Sequence, residues 1–129
     1  MKHKIKTVAD AFKAVGLDPN KLPNVSGLPE RHAQAVVDYY KAVVVAEALN
    51  EGWQPDWNNH DEWKYYPWFD VKASAKKLAG SGLSCCDYGY PGSYSFVGSR
   101  LCFKSAELAR YAGTHPPFRK LYESMFLLK

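Results

Sequence analysis

Apolar residues recur at helical spacing between two residues that interrupt helices, Pro29 and Gly52. They lie close to the i, i+3, i+4, i+7 positions of one helix face, and the apolar run at 42–46 widens that face. Proline suits the first turn of a helix and glycine the position after its last turn, so the pattern predicts a helix of about 20 residues. A buried strand is the alternative for the valine-rich middle, but the unbroken spacing favours a central helix that is covered on more than one side. Its apolar positions are Ala33, Val36, Val37, Tyr40, Val43, Val44, Ala48 and Leu49.

Three shorter helices are predicted near the ends of the chain. Thr7 is an N-cap for a helix that ends at Gly16, where a left-handed residue is often needed. Ser105 is an N-cap for AELARYAG, and Thr114 is an N-cap for a last helix whose first turn holds two prolines.

The stretch WKYYPWFDVK, residues 63–72, predicts a strand because its side chains alternate between two faces. Pro67 cannot donate a ladder hydrogen bond, which indicates an edge position or a bulge. Two further strands are expected near 83–90 and 93–103, joined by a turn at Pro91 and Gly92. The predicted core face of the first strand holds Trp63, Tyr65, Pro67, Phe69 and Val71, and the opposite face holds Lys64, Tyr66, Trp68, Asp70 and Lys72.

Together these elements predict one α+β domain over residues 1–129. It has a long central helix, a small antiparallel sheet of about three strands, and short N- and C-terminal helices. A chain of 129 residues has room for one core. A hydrophobic content of 47% and a charged content of 23% are typical of globular proteins, whereas an aromatic content of 15% is high.

The net charge of +4 is unevenly distributed, because residues 63–129 hold ten Lys and Arg against four Asp and Glu. A basic second half favours an anionic partner, and scattered lysines on an ordinary surface are the plainer explanation. No apolar run reaches the length of a signal peptide or a membrane span, so we expect an intracellular protein without a membrane partner. Three cysteines form no even disulfide framework, which favours reduced thiols at Cys85, Cys86 and Cys102.

The sequence holds no recognisable catalytic motif or metal-binding spacing. His60, Asp61 and Glu62 are the densest set of titratable residues, but consecutive side chains do not converge on one ligand. No nucleophile, base and orienting group are placed together by their spacing. We therefore predict a protein that is not an enzyme, with no catalytic residues, no metal site and no cofactor.

Aromatic and basic residues interleave in WKYYPWFDVK and in YSFVGSRLCFK. Rings that stack on bases, with Lys or Arg at the phosphates, are the mechanism of single-strand nucleic-acid binders. Large rings also build cores and partner contacts, and DYGYPGSYSF suits an adaptable recognition surface and a set of cross-strand pairs equally well. The predicted binding residues are Lys64, Tyr66, Trp68, Lys72, Tyr88, Tyr90, Tyr94 and Arg100.

Several segments together resemble a group of small uncharacterised proteins of Bacteroidetes phages and prophages. The resemblance covers nearly the whole chain and is carried by GWQPDW, KYYPWF and GSRLCFKSAELARYAG. It implies a phage setting and no catalytic residues. The pattern of that group runs through GKQF after YAG, whereas this chain has GTHPP at 113–117, which argues against one continuous C-terminal helix.

A phage setting without a catalytic set predicts a non-enzymatic binding or assembly protein, either virion-associated or accessory. It would act through its aromatic-rich sheet surface on a protein partner or on copies of itself, and an edge strand at Pro67 would suit pairing with a partner strand. The alternative is a single-stranded nucleic-acid-binding accessory protein that uses aromatic stacking and Lys/Arg phosphate contacts. The expected location is the host cytoplasm at synthesis, with the virion as a second location.

Overall fold

The computed structural model describes residues 3–67, 69, 70, 84, 85, 88–91 and 97–127. The helices are α1 (Val8–Ala14), α2 (Glu30–Asn50), α3 (Ala106–Thr114) and α4 (Pro116–Phe126), with a short 3-10 helix at Ser99–Leu101. The strands are β1 (Trp63–Tyr66), β2 (Phe69–Asp70), β3 (Ser84–Cys85) and β4 (Tyr88–Pro91).

The predicted α+β architecture with a three-stranded antiparallel sheet is wrong, because helices dominate the regular structure of the described residues. The four α-helices have 7, 21, 9 and 11 residues. Each strand has only two or four residues, and the described part of the chain contains strand pairs and no larger sheet. Within the predicted third strand, residues 99–101 form a 3-10 helix and residue 103 makes a single bridge.

The long helix α2 begins and ends where the sequence predicts. Pro29 precedes it with a φ of −56°, and the chain leaves it through two left-handed residues, Glu51 and Gly52, with φ of 50° and 90°. Helices α1, α3 and α4 all pack against α2, which explains why its second half is buried on several sides. None of the helices in the described ranges is both long and apolar enough to cross a membrane.

The first helix is held by reciprocal bonds at its N-terminus. The Asp10 N–H donates to Thr7 Oγ1 at 3.0 Å, and the Thr7 N–H donates to Asp10 Oδ2 at 3.1 Å, which confirms Thr7 as the N-cap. The helix carries Phe12 into the core, where its ring meets the Tyr40 ring edge-on at a centroid distance of 5.6 Å. Gly16 follows with a φ of 76°, as its predicted role requires.

The last two helices are separate and meet at His115. The Ser105 hydroxyl accepts a bond from the Leu108 N–H at 3.2 Å, which confirms the predicted cap of α3. Thr114 does not cap α4: it is the last residue of α3, and its hydroxyl donates to the Arg110 carbonyl at 2.6 Å. His115 occupies the cap position of α4 instead, because the prolines that follow supply the first turn without needing hydrogen-bond partners. The buried core combines residues of α1, α2, α3, α4 and the segment before α3, among them Val44, Val45, Leu101, Phe103, Phe118 and Tyr122.

The four strands form two antiparallel pairs, β1 with β4 and β2 with β3. Tyr66 pairs with Tyr88, and three positions further along each strand Phe69 pairs with Cys85. Strand β4 pairs with β1, whereas residues 92–96 lie outside the described residues, so the predicted hairpin at Pro91 and Gly92 stays a prediction.

At Tyr65, strand β1 has a backbone partner on both sides. Its other side meets the chain at Phe103, where the Tyr65 N–H donates to the Phe103 carbonyl at 3.1 Å and the Phe103 N–H donates back at 2.6 Å. The backbone of Tyr65 thus pairs with Phe103, while the register with β4 runs along the opposite side of the strand. The predicted edge position for this strand is corrected accordingly.

The two faces of β1 are also covered differently from the prediction. Tyr65 and Phe69 pack against the core as expected, but Trp63 is 49% exposed and Lys64 is only 1% exposed. The reason lies in residues 57–62, which fold back over the face that alternation alone would leave to solvent. The alternating side-chain pattern identified the two faces of the strand, but it did not reveal that another segment covers the face that holds Lys64.

Candidate functional site

A cleft of about 780 Å³ lies along the C-terminal half of α2. Three segments line it: α2, the loop that follows α2, and the chain from Val97 into the 3-10 helix. Its volume is that of a small-molecule or side-chain pocket, and it is open to solvent. We call it the α2 cleft, and its side chains include Tyr39, Val43 and Glu47 from α2, Trp53 and Gln54 from the loop, and Arg100 from the far wall.

Asn50 fixes the far wall against the end of α2. Its side chain is 5% exposed and forms two hydrogen bonds with the backbone 52 and 54 residues away. The amide Nδ2 donates to the Cys102 carbonyl at 2.8 Å, and Oδ1 accepts from the Lys104 N–H at 3.1 Å. Both bonds link the end of α2 to the backbone before α3, and a buried apolar side chain could form neither of them.

A second tie joins the loop to the same wall. The Trp57 indole N–H donates to the Ser99 hydroxyl at 2.6 Å. Gly98, with φ of 71° and ψ of −176°, turns the chain into the 3-10 helix in a conformation that is strained for residues with a Cβ. The loop, the helix and the wall of the α2 cleft are therefore held together by side-chain bonds across large sequence separations.

The α2 cleft continues into a smaller apolar pocket of about 360 Å³. Tyr39 and Val97 line both cavities, and Val36, Met125 and Phe126 extend the surface toward the end of α4. Val36 is 43% exposed and Tyr39 is 42% exposed, which is unusual for large apolar residues that lie side by side on one helix. We call this smaller cavity the apolar pocket.

Two opposite charges line the α2 cleft without neutralising each other. Glu47 and Arg100 are both exposed, and neither forms an ion pair within the part of the chain that the structure describes. Nearby, the charges of Glu51 and Lys104 do meet, with Lys104 Nζ 3.6 Å from Glu51 Oε1. The cleft therefore offers one available cation and one available carboxylate.

Lys64, one of the predicted binding residues, is used inside the fold. Its ammonium donates to the Asn59 carbonyl at 2.8 Å, lies 3.6 Å from Glu62 Oε1, and sits 5.3 Å from the centre of the Trp57 ring. Glu62 is itself held by the Asp56 N–H at 2.7 Å. Lys64 thus organises the loop behind the α2 cleft, and its charge does not face solvent.

The other predicted binding residues are distributed unevenly. Arg100 is exposed and lines the α2 cleft, while Tyr66 is half-buried at the end of β1. The backbones of Tyr88 and Tyr90 lie in β4 opposite β1. Trp68, Lys72 and Tyr94 lie outside the described residues.

Sequence reasoning missed three of the residues that build the cleft: Tyr39, Trp53 and Asn50. Tyr39 had a signal, because it follows Val36 by three positions and precedes Val43 by four, so the apolar stripe of α2 is wider than one contact surface. Trp53 comes directly after the left-handed Gly52, which turns the chain back beside the helix. Asn50 had no signal, since its partners are more than 50 residues away.

A ring stack at the other end of the molecule holds the N-terminal segment. The Tyr111 ring lies between the rings of His3 and His115, at centroid distances of 3.7 Å and 4.8 Å. The Tyr111 hydroxyl donates to the Ile5 carbonyl at 2.6 Å, and His3 Nε2 lies 2.7 Å from Glu107 Oε2. Burial raises the pKa of Tyr111, helped by the negative charges of Asp10 and Glu107.

The described residues contain no group of three or more His, Cys, Asp and Glu side chains arranged to hold a metal ion. Cys102 is buried, and its thiol donates to the Gly98 carbonyl at 3.1 Å. His60 and Asp61 are exposed in the loop. Comparison of the chain with protein-family models, with curated proteins and with solved structures yields no match.

Proposed function

We propose that this protein is a non-enzymatic binding or assembly protein that docks a partner protein in the α2 cleft and the adjoining apolar pocket. The main support is the exposed apolar face of α2, where Val36 and Tyr39 stay open to solvent beside a cleft of about 780 Å³. Contiguous apolar surface at a concave site is typical of protein interaction surfaces. The proposed surface therefore differs from the aromatic sheet surface that the sequence suggested.

The rigidity of the cleft walls adds to this support. Asn50 and Trp57 tie the walls together through three hydrogen bonds, so a partner would meet a preformed surface and little ordering would be needed on binding. A phage or prophage-like setting is the remaining part of the proposal, and its support is the resemblance carried by GWQPDW, KYYPWF and GSRLCFKSAELARYAG. In that setting the protein acts as a virion component or as an accessory factor.

Light scattering during size exclusion tests the proposal, on the protein alone and mixed with the proteins encoded by its neighbouring genes. We expect a defined complex that Tyr39→Asp abolishes, because the substitution places a charge in the shared wall of both cavities. Leu28→Asp is the matched control: Leu28 and Tyr39 are both 42% exposed, but Leu28 lines neither cavity. A strictly monomeric protein that forms no complex, or a complex that survives Tyr39→Asp, contradicts the proposal.

Single-stranded nucleic acid is the second candidate, because two partly exposed rings, Tyr39 and Trp53, share the cleft with Arg100. It has less support, since Lys64 directs its ammonium inward. Filter binding with single-stranded DNA and RNA at low and high salt tests it. Tight binding with a steep salt dependence favours this candidate, and an absence of binding at low salt removes it.

A further inference from the structure

Several side chains of the α2 cleft carry hydrogen-bond donors that nothing in the described part of the protein accepts. Among them are the Trp53 indole N–H, the Gln54 amide and the Arg100 guanidinium. Each forms no hydrogen bond or ion pair there, in contrast to Trp57 and Lys64 close by, whose donors are bonded. These donors are left to solvent beside the Tyr39 and Trp53 rings, so a ligand that brings acceptors can bond to them.

The charge of the acceptor follows from Arg100. A guanidinium offers planar, paired donors that fit a carboxylate in two-pronged geometry. Among the described residues that line the cleft, the other charged one is Glu47, which lies on α2 and is not within ion-pair distance of Arg100. An anionic group is attracted at the Arg100 wall and repelled at the Glu47 wall, so the cleft orients such a group.

We infer that the α2 cleft selects an aromatic side chain accompanied by a carboxylate, as in a partner segment with an aromatic residue next to Asp or Glu. The inference rests on the proposed docking function and adds the chemistry of the partner. The ring packs against Tyr39 and Trp53, and the carboxylate meets Arg100. A nucleic-acid strand fits less well, because one cation beside a carboxylate does not match a repeating phosphate backbone.

Two small probes of matched shape test this chemistry: indole-3-acetate carries the ring with a carboxylate, and tryptamine carries the same ring with an ammonium. Nitrogen–proton correlation spectra of the labelled protein resolve the indole N–H signals of its four tryptophans. We expect indole-3-acetate to shift the Trp53 signal saturably, with a Kd of about 1 mM for a probe of this size. Tryptamine is expected to bind at least about fivefold more weakly.

Charge-neutral variants on the two walls give opposite results. Arg100→Gln is expected to weaken indole-3-acetate binding about tenfold, because it removes a charge-assisted bond. Glu47→Gln is expected to strengthen the same binding about twofold and to weaken tryptamine binding. Arg31→Gln is the control: Arg31 is an exposed arginine in the first turn of α2 and does not line the cleft.

Several outcomes would overturn the inference. They are equal binding of both probes, no effect of Arg100→Gln, or no saturable Trp53 shift at about ten times the expected Kd. A thymidine octanucleotide that shifts the same signals with a lower Kd than indole-3-acetate also overturns the inference, in favour of nucleic acid.

A partner complex that Tyr39→Asp abolishes but Arg100→Gln spares would keep the proposed function and reject the inferred partner chemistry. The converse, selective probe binding without any complex, rejects the proposed function alone.

Discussion

Replacing Asn50 by alanine tests whether one buried amide holds the α2 cleft together. The side chain is 5% exposed and its two hydrogen bonds close the contact between the end of α2 and the segment before α3. In Asn50→Ala, the carbonyl of the fully buried Cys102 loses its 2.8 Å bond from the Asn50 amide. The N–H of Lys104 also loses its acceptor, but Lys104 is exposed and solvent replaces it at lower cost.

The expected loss of stability follows from these two groups. Loss of a hydrogen bond to a buried group costs about 1–3 kcal/mol, and a bond replaced by water costs about 0.5–1.5 kcal/mol. Together they predict a decrease of about 2–4 kcal/mol in the free energy of unfolding. With a urea slope of about 2 kcal/mol per M, the midpoint of unfolding is expected to fall by about 1–2 M.

Urea unfolding followed by circular dichroism and by tryptophan fluorescence measures this change. Asn58→Ala is the matched control: Asn58 is exposed and its side chain forms no described hydrogen bond, so we expect a change within about 0.5 kcal/mol. Asn50→Asp separates the two bonds, because it keeps an acceptor for the Lys104 N–H and sets a carboxylate oxygen against the Cys102 carbonyl. An Asn50→Ala protein as stable as the Asn58→Ala control would refute the role of this amide.

Three further predictions concern titratable side chains. Lys64→Ala should lower the free energy of unfolding by about 2–4 kcal/mol. Lys64→Met should lower it by less than about 1.5 kcal/mol, because methionine keeps an apolar chain in the place of the buried lysine methylenes. Equal losses for the two variants in urea unfolding would contradict this prediction. A hydrogen bond from the Lys6 backbone N–H, with further bonds from Thr7, lowers the pKa of Asp10. The Asp10 carboxylate therefore stabilises the fold above pH 3.8, and this stabilisation is lost as the pH falls through the lowered pKa. Thermal unfolding of wild type and Asp10→Asn should therefore converge in acid, and a constant difference would argue against the capping bonds. Burial raises the pKa of Tyr111, so wild type should lose stability relative to Tyr111→Phe only as the pH rises above 10.0, and parallel pH curves would count against its burial.

The helices were predictable because their signals are local. The spacing between Pro29 and Gly52 identified α2, and the caps at Thr7 and Ser105 identified α1 and α3. The cap at Thr114 was misassigned because one residue, His115, separates two helices and threonine suits either end of that junction. Local patterns thus located helices well and their shared boundaries less well.

The strands and the cleft were harder to predict, because their partners are distant in sequence. Strand β4 pairs with β1, a partner that the turn chemistry of Pro91 and Gly92 does not indicate. The exposure of Trp63 and the burial of Lys64 depend on where residues 57–62 fold back, which alternation does not encode. Among the predicted binding residues whose side chains the structure describes, only Arg100 lies on the wall of the α2 cleft.

The sequence by itself determined where the helices lie along the chain, which residues are apolar enough to form a core, and that no known catalytic spacing is present. These properties depend on neighbours within a few positions along the chain, which is the range of caps, turns and helical periodicity. Only the tertiary structure decided that helices dominate the regular structure of the described residues, that Lys64 is enclosed, and that Tyr39, Trp53 and Arg100 share one cleft. The physical reason is that Asn50 and Trp57 act across 42 to 54 residues of chain, where contacts depend on how the helices pack and not on local propensity.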